Sequence, residues 1–319
     1  VQTCALPISE STVTYTSLNG AFEAGSLAAL TTCAQPSTLD LTALAAAWAA
    51  ARALAPGAHP LWIVAVADGA ATVAVFAFSV ALDNSSVYDP YWSVAPMAIA
   101  PYLALRPESA AGSPARQILI CTLVALWGLR LTWNWARGFS GLGHEDWRYV
   151  DVRRSTGRAY WLASFAGLHS FPTVLVYLGC LPLFFAMTSP RPLGPLDALA
   201  AAVTLGALVV ETVADEQLRR FRREGRGAGA IMDVGLWAHC RHPNYLGEVG
   251  FWWGLLLFAL ATWPAPLWAG TGALAITLLF VFASIPMLDR RSIARRPAYA
   301  EHMKRVPALV PWFPGKHSR

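Results

Sequence analysis

The chain has 319 residues, of which 55% are hydrophobic and 13% charged, with a formal net charge of +5, and its mean hydropathy is +0.43. Soluble domains carry about 25% charged residues, so this chain has roughly half the charge that a water-exposed globule needs. Disorder is excluded because it requires low hydrophobicity and high charge. A small basic excess in a Leu-, Ala- and Trp-rich chain offers no nucleic-acid surface, so membrane lipid is the expected surrounding.

Residues 1–40 are Ser/Thr-rich and contain no Lys or Arg. They lack the basic region and apolar core of a secretory signal, and are expected to be a leader outside the fold. Residues 41–60, beginning LTALAAAWAAARALA, read as an interfacial helix or a first approach to the membrane. From 61 to 319 we expect a single all-α, polytopic membrane domain of about seven transmembrane helices. These are placed at 61–82, 91–105, 116–136, 160–187, 193–214, 248–263 and 265–288. Each is near the roughly 20 residues that cross hydrocarbon, with 91–105 and 248–263 the short ones. Pro172 and Pro182 should kink or break the fourth. No run alternates as a membrane β-barrel requires.

With seven spans, 19 of the 24 Lys and Arg fall in segments 83–90, 137–159, 215–247 and 289–319. Four lie on the other side and Arg130 sits within a span, so the C-terminus is expected in the cytoplasm. The basic residues are 22 Arg and 2 Lys in an Ala-rich chain, as in a high-GC bacterial gene, which points to a bacterial inner membrane.

Several motifs carry little. The five cysteines include no C-x-x-C pair and show no disulfide framework. His239 and His242 have a metal-site spacing but lack a companion motif, so no metal is expected. The glycines at 225, 227 and 229 follow a charged helix, whereas a dinucleotide loop follows a strand. Gly250 and Gly254 form a G-x-x-x-G helix-packing face, in which the glycines can equally ease packing within this protein. Asn84-Ser85-Ser86 fits a glycosylation sequon but falls on the cytoplasmic side.

Charge at membrane depth is costly and usually faces a protein interior or a watery cavity. Arg130, Asn134 and Arg137 lie on one helix face, as do Glu211, Asp215, Arg219 and Arg222, and then Asn244, Glu248 and Trp252. Three stripes of Arg and carboxylates suit a ligand bearing phosphates and hydroxyls. The alternative is a set of interfacial anchors, with Arg snorkelling and pairing along its own helix. Asp68 and His169 also lie within spans and have no partner at helical spacing. Each either lines a substrate cavity or is a satisfied polar residue in the bundle.

The run Gly235-Leu236-Trp237, then Arg241-His242-Pro243-Asn244-Tyr245-Leu246-Gly247-Glu248, then Trp252-Trp253-Gly254 resembles the C-terminal signature of steroid 5-alpha-reductase-like membrane oxidoreductases. It looks most like their uncharacterised bacterial branch, domain of unknown function 1295. Trp127-Gly128-x-Arg130, Glu145-Asp146-x-Arg148-Tyr149, Asp215-x-Gln217, Ser284-Ile285-Pro286, Tyr299 and Val310-Pro311-Trp312 agree in order over about 85–319.

The resemblance implies NADPH bound in the cytoplasmic half of the bundle and an apolar enone entering from the bilayer. It implies cofactor contacts from Arg130, Arg148, Tyr149, Glu211, Asp215, Arg219, Arg222, Arg241, His242, Asn244, Tyr245, Glu248, Tyr299 and Arg305. The steroid reductases polarise the substrate carbonyl with a Glu and a Tyr from early helices. No such pair aligns here, and the nearest candidates for catalysis are Tyr88, Asp89 and Tyr91, with Trp92 beside them.

The expected reaction is NADPH-dependent reduction of a conjugated carbon–carbon double bond in a lipid or steroid-like enone. A membrane S-adenosylmethionine-dependent methyltransferase of the isoprenylcysteine carboxyl methyltransferase type shares the Arg-His-Pro-Asn-Tyr core and is the rival. The Arg-rich helix from Asp215 to Arg223 favours the phosphate-bearing cofactor. A non-catalytic lipid-binding protein is a third reading.

Overall fold

The computed structural model describes residues 36–54, 57–139, 141–225, 229–262 and 264–311, with the backbone alone described for 36–40. The expected leader lies outside the described residues up to position 35. So do residues 226–228 of the glycine-rich loop and Trp312 of the tail.

Every regular element among the described residues is a helix. Five are long and apolar enough to cross a membrane: Pro60–Ala81, Pro114–Gly138, Trp147–Thr188, Pro195–Arg223 and Leu267–Arg295. The protein is a polytopic all-α membrane protein, and five such helices stand where the sequence suggested seven. The other two expected spans are helical but do not reach that standard. Tyr91–Ala104 has only 14 residues, and Pro243–Leu260 includes Asn244 and Glu248, which lower its apolar content.

We number the helices in chain order. Helix α1 (Pro36–Leu54) is the interfacial candidate. It packs along α2 (Pro60–Ala81), with the Arg52 guanidinium 5.0 Å over the Trp48 ring. Helix α2 starts where Pro60 occupies the first turn and the His59 ring accepts the Leu61 N–H. Its buried face mixes Ile63, Val64, Ala71 and Val75 with Asp68, Thr72 and Ser79. Next come α3 (Tyr91–Ala104), α4 (Pro114–Gly138) and α5 (Trp147–Thr156).

The fourth expected span is α6 (Phe171–Thr188), entered through a π-helical turn at Ser164–Ser170. Proline cannot donate to the helical ladder and its ring crowds the carbonyl four residues back. A widened turn just before Pro172 removes that conflict. The same device recurs at Phe280–Ser284, immediately before Pro286. Pro182 sits inside α6. After α7 (Pro195–Arg223) and α8 (Pro243–Leu260) come α9 (Thr271–Leu279), α10 (Ile285–Arg295) and α11 (Tyr299–Arg305).

The chain forms two compact units. The first comprises the described residues up to Pro96 together with Leu131–Val174. The second comprises Met97–Arg130 and Leu175–Arg319.

The second unit is organised on the pairing of α7 with α8. An added Cβ at Gly254 would meet the Thr204 side chain, at Gly250 the Ala207 side chain, and at Gly247 the Ala207 carbonyl and Glu211. Positions rise along α8 as they fall along α7, so the helices run antiparallel at close range. The Gly-x-x-x-Gly face therefore packs inside the protein. The same unit buries an ion pair in which Arg116 donates to both Asp197 oxygens, at 2.7 and 2.9 Å.

Candidate functional site

In the second unit the close seam of α7 and α8 sets Glu211, Asp215 and Glu248 near Arg130 of α4. Arg130 Nη2 lies 2.6 Å from Glu211 Oε1, and Nη1 donates to Asp215 Oδ2 at 2.9 Å. Glu248 accepts from two indoles, Trp127 Nε1 at 3.0 Å and Trp252 Nε1 at 2.8 Å. Trp127 stacks on Phe251 with centroids 4.6 Å apart, which fixes the indole that holds Glu248.

Three carboxyls thus surround one guanidinium in a dry setting where charges act strongly. Within it, Glu211 Oε2 and Arg130 Nε are buried and have no hydrogen-bond partner among the described residues. A buried polar atom left unmatched is costly, so Arg130 Nε gives the cluster a donor to offer a ligand. Asn244, also buried, lies one turn before Glu248.

The other expected cofactor residues divide. Arg219 donates to Glu216 through Nε at 2.8 Å and Nη2 at 2.6 Å, and Arg220 adds a bond to the same carboxylate at 3.1 Å. Half-buried Arg222 lies two turns beyond Asp215 on α7. Arg241 gives Nε and Nη2 to Asp289, at 3.4 and 2.7 Å, and Nη1 to the Met303 and Val306 carbonyls.

Asp289 also accepts from Tyr299 at 3.2 Å and lies 3.0 Å from His242 Nε2. The His242 ring stacks on Tyr245. Backbone bonds from Arg241 to Pro307 and from His242 to Ala308 complete a clamp on the tail. Cys240 joins it, donating to the Ala308 and Leu309 carbonyls, and burial pushes its thiol up to about 11. Burial likewise holds the His302 imidazole below its usual range. Arg305 is exposed.

In the first unit, Tyr88 and Tyr91 lie side by side with ring centroids 5.5 Å apart, while Asp89 has a separate set of partners. Tyr91 donates to Asp68 Oδ1 at 2.5 Å and Tyr88 bonds Thr173 at 2.9 Å, with Thr173 bonded in turn to Thr72 at 2.8 Å. Asp68 is 5% exposed, and its Oδ2 has no hydrogen-bond partner among the described residues. Asp89 instead accepts a short bond from Tyr149, with Arg148 Nη2 3.9 Å away and held by Asp146. Burial raises Asp89 to about 6, more than Arg148 and the Tyr149 hydrogen bond lower it. Burial also pushes the Tyr88 phenol up.

Sequence spacing left three participants without their partners. Trp127 is one turn before Arg130 and was reachable from the helical period alone. Asp68 stood out as a costly residue, but its partner Tyr91 comes from another helix. Asp289 gave no local signal, because its partners Arg241 and His242 are 48 and 47 residues away. Asn84 of the sequon is buried and donates to the Leu142 and His144 carbonyls, at 2.8 and 3.0 Å.

A family model described as a protein of unknown function, DUF1295, matches residues 75–306. The chain is 28% identical over 271 residues to Uncharacterized protein C594.04c of Schizosaccharomyces pombe, covering 75% of this chain and 76% of that protein. No solved structure matches. The matched span takes in both the Arg130 cluster and the Asp289 clamp, and the chain belongs to the DUF1295 family.

Proposed function

We propose that this protein is an oxidoreductase of the bacterial inner membrane that uses NADPH to reduce a conjugated carbon–carbon double bond in a lipid or steroid-like enone. The observation that carries the reading is the buried Tyr91–Asp68 pair, bonded at 2.5 Å. It is a carboxyl–phenol pair from early helices, the type of group with which the steroid 5-alpha-reductases polarise their substrate carbonyl.

With the Asp68 carboxyl protonated and donating to the phenol oxygen, Tyr91 would be free to donate to the carbonyl oxygen and stabilise the charge that develops there. Burial of both residues would keep competing water away. The reduced nicotinamide would supply the hydride.

The donor set of the second unit fits such a cofactor. Its unmatched Arg130 Nε can donate to a ribose hydroxyl or carboxamide oxygen. Arg222, two turns beyond Asp215 on α7, would be available for a phosphate, whereas Arg219 and Arg241 are already held by carboxylates.

One observation favours the methyltransferase reading. Arg219 and Arg220 turn toward Glu216 on their own helix, so the Arg-rich stripe is partly self-neutralised. Thermal stabilisation of detergent-purified protein by NADPH, NADH and S-adenosylmethionine separates these readings. NADPH should stabilise the protein, and Asp215→Ala and Glu248→Ala should weaken the effect. Stabilisation by S-adenosylmethionine alone would refute the reductase reading, and a response to none of the three would favour lipid binding.

A further inference from the structure

Reducing an enone consumes a proton as well as a hydride, and the first unit holds a string of proton-exchanging groups that the candidate site does not use. At its outer end Glu145, 14% exposed at its side chain, is held by Arg153, which also pairs with exposed Asp83. Glu145 Oε1 accepts from the Tyr160 hydroxyl at 3.1 Å. That hydroxyl bonds Ser85 Oγ at 2.6 Å, and Ser85 Oγ bonds Ser164 Oγ at 2.9 Å. Ser164 Oγ lies 3.4 Å from His169 Nδ1, the longest link. His169 and the two serines are fully buried.

We propose that Glu145, Tyr160, Ser85, Ser164 and His169 form a proton relay from the exposed edge of the first unit to its buried polar core. Every link joins groups that can both give and take a proton, whereas simple helix fastening is served equally well by backbone acceptors. A proton entering at Glu145 displaces one from each hydroxyl to the next and leaves one on the imidazole. No heavy-atom bond changes, and no oxidant or reductant is needed.

The inner end accommodates both charge states of His169 without rearranging heavy atoms. When the ring is protonated, Nδ1–H donates to the Ser164 carbonyl at 3.0 Å and Nε2–H donates to Ser79 Oγ at 3.0 Å. The Ser79 hydroxyl then turns to the Val75 carbonyl, 3.1 Å away. When the ring is neutral with its proton on Nδ1, Ser79 donates to Nε2 instead. Proton entry uses the other tautomer, in which Nδ1 accepts from Ser164 Oγ.

Ser164 and His169 sit at the two ends of a π-turn interval, so the widened turn before Pro172 brings this ring back onto its own carbonyl. The His169 ring packs against Tyr88 with centroids 4.9 Å apart. His169 is thereby a proton store beside the Tyr88–Thr173–Thr72 network.

The use of this relay in catalysis rests on the reductase reading, but the relay itself is testable without substrate or cofactor. The probe is solvent exchange of the His169 ring N–H in protein labelled with 15N-histidine and held in lipid nanodiscs, assigned by its loss in His169→Gln. Cutting the string leaves only local opening as an exchange route. Ser85→Ala and Ser164→Ala should therefore slow exchange by roughly tenfold or more. Tyr160→Phe keeps the ring, deletes only the hydroxyl, and makes the same cut if a serine variant does not fold. Thr122→Ala, which removes only a bond to its own helix, should leave the rate unchanged. Exchange within twofold of the parent in the folded cut variants would overturn the relay. Absence of NADPH stabilisation would sink the reductase reading and leave the relay standing.

Discussion

Replacing Gly247 with alanine would place a methyl carbon 2.6 Å from Glu211 Cβ, 2.7 Å from the Ala207 carbonyl oxygen and 2.9 Å from the Glu211 nitrogen. Carbon contacts are comfortable at about 3.5–4.0 Å, so α7 must retreat by about 1 Å. Two of the three atoms belong to backbone, and no side-chain rotation relieves them. Overpacking of this kind costs about 1–3 kcal/mol. The retreat also moves Glu211, whose oxygen lies 2.6 Å from Arg130, so the ion pair weakens with the seam.

Gly206→Ala is the matched control in the same pair of helices. Nothing lies within 4 Å of its added Cβ, and a glycine-to-alanine change inside a helix stabilises by about 0.5–1 kcal/mol. The two variants should therefore shift thermal unfolding in detergent in opposite directions. If Gly247→Ala proves as stable as Gly206→Ala, α7 and α8 do not pack as described, and the Arg130 cluster loses its structural basis.

Arg116→Met strands Asp197 without its partner in a buried place and should destabilise by about 3–5 kcal/mol. Adding Asp197→Asn should recover much of that loss in a double-mutant cycle, and additive losses would contradict the pairing. Asp89 lies at about 6 in the folded protein, above its unfolded value, so the folded state binds a proton that the unfolded chain has released. Its stabilising contribution is complete below about pH 4 and falls as pH rises toward 6, by on the order of 2–3 kcal/mol. Thermal unfolding of the parent relative to Asp89→Asn, measured across that range, should show this decline. A flat difference would refute it.

The helical class and its fit to a membrane were legible in the chain because both follow from local quantities, namely apolar content and the length of apolar runs. The breaks at proline were legible for the same reason, although only the backbone shows that π-turns absorb Pro172 and Pro286. The stripe Glu211–Asp215 and the turn Asn244–Glu248 could be read from the 3.6-residue period.

Tertiary structure decided what that period cannot see. Glu211 and Asp215 share Arg130, Arg219 folds back on Glu216, and Tyr91 meets Asp68 while its neighbour Asp89 meets Tyr149. A sequence records which residues share a helix face, but the partner of a buried charge is set by which helices approach closely. Here glycines at 247, 250 and 254 permit that approach between α7 and α8.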